Sequence, residues 1–396
     1  MNKELIKMPV RVAIIRGAYL TKSEIQIYEP LVKDFDITAF CLRGNNFNLK
    51  DIRLPIEKLW GLDTFVPKFL RRYYNFTVGH VLEMSQPMLG LNTRLKNFDI
   101  VHVSDVCYYY AYQAAKLKKK HGYKLVLTAA ENIPFLFGKN PFSRKRIEEI
   151  IRSIDIFLPL TQRAAEFFII MGVSTDRIRV IPFGVDTTHF YHMEETHEFY
   201  YERFDISRED LVILYAGRLQ KYKGLFELVY AAKRILEDQD LMGRKIKFVL
   251  VGDGPIKNRI RSLLRYLKID KNFRIVGGID YSEIPKIHNM ADIFVLPSIV
   301  SPRWQEQFGR VLIESMACSK PVVSTFTGSI PEVVGEAGLL VQSSDHFSLY
   351  QALKRLILDE GLRIKLGELG RKRVMENFDV KLVAEKIKEV YRVLSS

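Results

Sequence analysis

Two carboxylates, Glu306 and Glu314, stand eight positions apart in Glu306-Gln307-Phe308-Gly309-Arg310-Val311-Leu312-Ile313-Glu314. Val311, Leu312 and Met316 make one apolar face of a helix that opens at Gly309. Glu306 then lies in the loop before the helix. Glu314 lies more than a turn inside it, beyond the reach of the helix dipole. A carboxylate there calls for a specific hydrogen-bonding partner. The N–H groups around Phe308, Gly309 and Arg310, at the helix start, suit an anion such as a diphosphate. An anion between two hydroxyl-binding acids is the outline of a nucleotide sugar.

Cations stand ready for the same anion. Arg218 and Lys223 follow the apolar run Leu211-Val212-Ile213-Leu214-Tyr215-Ala216, at the carboxyl edge where α/β ligand sites form. Two fixed cations there would neutralise a diphosphate leaving group as its charge develops. Taken alone, the same residues also read as a solvated basic loop. Gly17 follows the first apolar run and would let backbone approach a phosphate closely; a plain β-α turn is the alternative.

Placing these residues requires alternating strands and helices. Strand-like runs fall at 10–15, 37–41, 100–103, 125–128, 154–158 and 178–181, and again at 212–215, 247–251, 274–276, 293–296 and 322–324. Helical patterns fall between them, at 111–120, 162–171, 225–236, 256–267 and 349–358, with a terminal amphipathic stretch at 380–394. The alternation implies two α/β domains with parallel sheets. Residues 1–188 form the first, 189–204 a connection and 205–375 the second. Residues 376–396 form a terminal helix.

The ordered series resembles the retaining glycosyltransferases of family 4, also called group 1, which have the GT-B fold. Glu306 and Glu314 are similar to its E-x7-E signature. Gly217-Arg218 with Lys223-Gly224 is similar to its G-R-x4-K-G element, and Val251-Gly252-Asp253-Gly254-Pro255 to its V-G-x-G-P turn. Ala291-Asp292-Ile293-Phe294-Val295-Leu296-Pro297-Ser298, Pro321-Val322-Val323 and Pro331-Glu332-Val333-Val334 follow in the family's order. The resemblance is most specific over 205–345. In the first half it rests on Ile181-Pro182-Phe183-Gly184-Val185-Asp186 and Asp99-Ile100-Val101-His102.

The resemblance implies two Rossmann-like domains facing across a cleft, with the last helix crossing back to the first. It implies a metal-independent, retaining hexosyltransferase that uses a nucleoside diphosphate sugar, UDP- or GDP-linked, and needs no further cofactor. Glu306 is the implied grip on the transferred sugar and Glu314 the grip on the ribose. Ile275 and Val276 are implied to flank the base. The family often reads His-x-His where this chain has His102-Val103-Ser104, so the acceptor-side role is open to Asp105 or Glu131. Glu131 is the stronger candidate, and capping its own loop is the alternative. An inactive sugar-nucleotide-binding relative is the competing function. Asp238-Gln239-Asp240 mimics a metal-binding D-x-D but follows a helix, so no metal site is expected there.

Composition bounds the partners. The 396 residues are too many for one ordinary core. Three separated cysteines, Cys41, Cys107 and Cys318, form no metal or redox spacing, which suits a reducing cytoplasm. The net charge is +14, with most of the excess in residues 1–190. Such a surface suits a polyanionic partner. Nucleic acid is not expected, because no nucleic-acid module is recognisable. The basic-aromatic stretch 65–76 suggests peripheral contact with an anionic membrane and a lipid-linked or other glycan acceptor; an insertion that covers its own domain's core, with its charges merely solvated, is the equal alternative.

Overall fold

The computed structural model describes residues 9–45, 47–66, 85–136, 138, 140–194 and 198–396. The chain divides into two compact units, Met1–Gly184 with Lys381–Ser396, and Val185–Val380. Most of the stretch 65–76, from residue 67 on, lies outside the described residues.

The first unit is built on six parallel strands: β1 (Arg11–Gly17), β2 (Asp36–Leu42), β3 (Ile56–Leu59), β4 (Ile100–Ser104), β5 (Lys124–Ala129) and β6 (Ile156–Pro159). Their order is β3-β2-β1-β4-β5-β6. Val12, Ala13, Ile14 and Ile15 are all fully buried, as expected of a central parallel strand covered on both faces. The order reverses between β1 and β4. Ligands of open α/β sheets gather at the carboxyl ends beside such a reversal. The run at 178–181 adds no seventh strand. Arg179 and Ile181 donate to Phe157 and Pro159 on β6, and Pro182 then has no N–H to extend the pairing.

The terminal helix Val380–Ser395 packs on this first unit through Val383, Ile387 and Tyr391, each at most 1% exposed. Lys388 Nζ lies 2.7 Å from Asp34, and the Tyr391 ring meets Phe35 edge-on. The first unit therefore contains both ends of the chain.

The second unit repeats the plan with β7 (Leu211–Ala216), β8 (Ile246–Val251), β9 (Phe273–Val276), β10 (Ile293–Leu296), β11 (Val322–Thr325) and β12 (Gly338–Val341). The order β12-β11-β10-β7-β8-β9 is the first unit's order again. Here the reversal falls between β7 and β10. The segment read as a connection is built into this unit: Phe190, Tyr200 and Phe204 are buried, and the side chain of Asn289 donates to Tyr191 O. Among the described residues no helix is long and apolar enough to cross a membrane.

Candidate functional site

In the second unit the chemistry collects where β7 and β10 end. Arg218 leaves β7 with an exposed side chain, its carbonyl accepting from Tyr215 OH at 2.8 Å. Lys223 follows in a short turn that ends at Gly224. A side chain there would force the backbone to shift. Gly224 has φ +69°, and a Cβ would stand 1.7 Å from the carbonyl oxygen of Pro297. This contact, with Ile299 N donating to Tyr222 O at 2.9 Å, presses the lysine turn onto the loop after β10. Lys223 Nζ thereby reaches Glu306 Oε2 at 2.6 Å. Ser298 Oγ donates to the same oxygen at 2.7 Å. Glu306 is only 6% exposed, so its charge depends on these partners. Tyr222 and Trp304 lie ring to ring at 4.2 Å, with the Lys223 ammonium 5.0 Å from the Trp304 centroid.

The helix Arg310–Ala317 begins at Gly309, which is left-handed at φ +83°. Phe308 is buried and Arg310 opens the first turn. A helix start leaves N–H groups without carbonyl partners in the preceding turn, and these favour an anion. Glu314 sits on the same helix at 6% exposure. Its Oε1 accepts from Tyr281 OH at 3.2 Å. Burial raises its pKa, against the opposing effects of Arg310 and the Tyr281 bond. Ile275 and Val276 end β9 at the sheet edge, half-buried. The carbonyl of Val276 accepts from Gly252 N at 3.1 Å.

In the first unit, Gly17 ends β1 at φ +57°. The space a Cβ would need is filled by Gln86, whose Oε1 accepts from Ala18 N at 2.7 Å. The backbone beside Gly17, where a phosphate is expected to approach, is thus engaged by a side chain. Asp105 follows β4 at φ +52°, a left-handed conformation unusual outside glycine. Its Oδ1 accepts from Ala130 N at 3.0 Å. Glu131 follows β5 and accepts from Val106 N at 3.1 Å. Glu131 Oε2 is buried without a hydrogen-bond partner. Burial first, then the charge of Asp105, pushes Glu131 well above the usual carboxylate range. His102 is a core residue. Its ring nitrogens pair with Tyr391 OH at 2.6 Å and Thr128 Oγ1 at 2.7 Å, and burial holds it neutral.

The profile described as glycosyl transferases group 1 matches residues 198–373. The profile described as glycosyltransferase family 4 matches residues 35–189. The chain belongs to the group 1, family 4 glycosyltransferases. The Corynebacterium jeikeium D-inositol 3-phosphate glycosyltransferase is 30% identical over 68% of this chain and 65% of its own length. The Staphylococcus aureus capsular polysaccharide biosynthesis glycosyltransferase CapM is 33% identical over 46% of each. The matched region thus spans about half to two thirds of these curated relatives. Among solved structures, Anabaena HepE in complex with UDP has a TM-score of 0.75 at 17% identity, covering 97% of this chain and 100% of that one. Sucrose-phosphate synthase from Thermosynechococcus elongatus also scores 0.75, at 21% identity over 97% and 99%. These likenesses establish the GT-B fold.

Within this chain the expected residues fall into two groups. Lys223 and Glu306 are in contact, and the second unit also holds Arg218, Ile275, Val276, Phe308, Gly309, Arg310 and Glu314. Gly17 and Glu131 belong to the first unit, at the carboxyl edge of its sheet. Asp238 and Asp240 are engaged by Lys354, at 2.8 and 2.5 Å. Among the described residues no group of three or more His, Cys, Asp or Glu could hold a metal ion. Reading the sequence missed three participants. Ser298 lay inside a recognised motif without a role. Tyr281 is 33 residues from Glu314, and Gln86 is 68 from Ala18. Only the fold brings those pairs together.

Proposed function

We propose that this glycosyltransferase moves a hexosyl group from a nucleoside diphosphate sugar to an acceptor hydroxyl, with retention and without a metal. The observation that carries the reading is the Lys223–Glu306–Ser298 cluster at the reversal point of the second sheet, beside the start of the Glu314 helix. Arg218 and Lys223 would neutralise the diphosphate as the bond from the sugar's C1 breaks. The amides around Phe308, Gly309 and Arg310 would receive its outer phosphate. Glu306 would hold hydroxyls of the sugar, Glu314 the ribose diol, and Ile275 with Val276 the base.

No carboxylate among the described residues is assigned as a covalent nucleophile, and the double displacement of retaining glycosidases is not invoked. The acceptor oxygen would bond C1 on the face the diphosphate leaves, and its proton would pass to the departing phosphate. Glu131, whose carboxyl burial pushes toward the protonated form, would donate a hydrogen bond on the acceptor side. The UDP complex of HepE supports a uridine donor, with a guanosine donor as the alternative. A lipid-linked or other glycan acceptor suits the net charge of +14 if it carries phosphate, and contact with an anionic membrane suits the same surface. A reducing, cytoplasmic setting suits the free cysteines.

The test is turnover of a panel of UDP- and GDP-sugars by the purified chain with glycan, lipid-linked and small polyol acceptors. Release of nucleoside diphosphate matched by a glycosylated acceptor supports the reading. Binding of donors with no turnover across the panel favours the inactive-relative alternative.

A further inference from the structure

The second unit buries one histidine for which the chemistry above has no use. His288, on the helix Ile284–Asn289, is fully buried between the rings of Phe190 and Phe294, at 6.2 and 5.2 Å. Neither ring nitrogen has a hydrogen-bond partner. Burial, helped by the charge of Lys320, takes its pKa down to about 3, so the ring is neutral near pH 7. A neutral imidazole still carries one N–H. A buried donor without an acceptor is costly and calls for an explanation.

His288 Nε2 stands 4.0 Å from Glu314 Oε2. That is about 1 Å too long for a hydrogen bond. Glu314 is itself loosely held, since its bond to Tyr281 is long at 3.2 Å. A carboxylate offers about four acceptor sites. With Tyr281 on one and a ribose diol on two, one remains, and the idle N–H of His288 lies beside it.

We propose that His288 is a positioning residue for Glu314: a hydrogen bond from His288 Nε2–H to Glu314 Oε2 closes when a nucleotide seats its ribose on that carboxylate. The inference rests on the reading of Glu314 as the ribose ligand. The ribose hydroxyls favour the ionised carboxylate, and the ionised form in turn favours every further donor it can gather. A shift of about 1 Å then converts an orphaned donor into the bond that fixes the carboxylate's orientation. The free protein carries the unsatisfied group, and the bound protein is relieved of it. Selectivity for ribose over a sugar without the diol follows from this arrangement.

The experiment compares calorimetric binding of UDP and of 2′,3′-dideoxy-UDP, with the GDP pair substituted if GDP binds tighter. His288→Phe keeps a ring between Phe190 and Phe294 and removes the N–H. It is expected to weaken UDP binding about tenfold, leave dideoxy-UDP binding unchanged and raise the melting temperature of the free protein. His288→Gln, which can still donate, is expected to recover much of the UDP affinity. Equal losses for both ligands, or no loss for either, overturn the proposal. Glu314→Gln separates the two layers. If it too leaves the preference for UDP intact, the ribose role of Glu314 is what fails. If it abolishes the preference while His288→Phe does not, only the role of His288 fails. Should the phenylalanine variant not fold, ¹⁵N spectra of the wild-type histidines, with His288 assigned by the glutamine variant, give the answer. UDP should bring out one exchange-protected ring proton on His288, and its absence in saturating UDP overturns the proposal.

Discussion

Breaking the Lys223–Glu306 pair should cost far more than an exposed ion pair would. The 2.6 Å contact joins side chains only 18% and 8% exposed. Removing one partner of a buried pair typically costs about 3–5 kcal/mol, because the other charge is left desolvated. The Ser298 hydroxyl, 2.7 Å from the same oxygen, would soften that loss. Lys223→Met should therefore destabilise the second unit by about 2–3 kcal/mol. Glu306→Gln should cost less, since a lysine can turn its ammonium toward water. The double variant leaves no stranded charge. It should be more stable than the sum of the singles by about 1.5–2 kcal/mol. Urea unfolding of the four proteins, followed by Trp304 fluorescence in a Trp60→Phe background, measures this coupling, because the Trp304 ring lies 5.0 Å from the ammonium. A coupling below about 0.5 kcal/mol, the range of exposed pairs, would refute the claim that the ammonium is locked on a desolvated carboxylate.

Glu131 should make stability fall as pH rises. Its folded pKa is raised above the ordinary 4.5, so above that pH the folded state holds a proton the unfolded state has lost. Glu131→Gln should flatten the decline that begins above about pH 4.5, and an unchanged pH profile in thermal melts would count against a raised Glu131 pKa. Gly224→Ala should cost about 3 kcal/mol or more in urea unfolding, through a Cβ 1.7 Å from the Pro297 carbonyl and a strained φ; wild-type stability would show that the turn is not pressed onto that loop.

The sequence carried the site of the second unit further than that of the first. Arg218, Lys223 and Glu306 follow short strands whose apolar runs are unbroken, and parallel strands buried on both faces produce such runs. Even so, among the described residues two strands and two helices of more than ten residues escaped notice. β12 is four residues opening at Gly338, where a Cβ would meet Val322 Cγ2 at 2.5 Å. The helix Glu360–Asn377 buries Leu366, Gly367, Gly370 and Val374. Two of those four are glycines, chosen for close packing against Ser319 and Met316, so no apolar stripe is visible. β3 was hidden because its Glu57 and Lys58 interrupt the apolar pattern. The helix Pro141–Ser153 was hidden by a charged outer face, though Asn140 caps it and Pro141 begins it. The partnerships of His102 with Tyr391 and of Val106 with Glu131 join residues 289 and 25 positions apart. Spacing along a chain carries no trace of such pairs.

The claim that binds the account together is transfer with retention, driven by cations of the chain rather than by a metal. The direct measurement is the anomeric configuration of the product, read by proton NMR during early turnover in excess chelator, beside Arg218→Ala and Glu306→Gln at equal concentration. The account predicts a product with the donor's configuration, formed at an undiminished rate in chelator and at least tenfold more slowly by either variant. An inverted product, or activity abolished by chelator and restored by manganese, would contradict it.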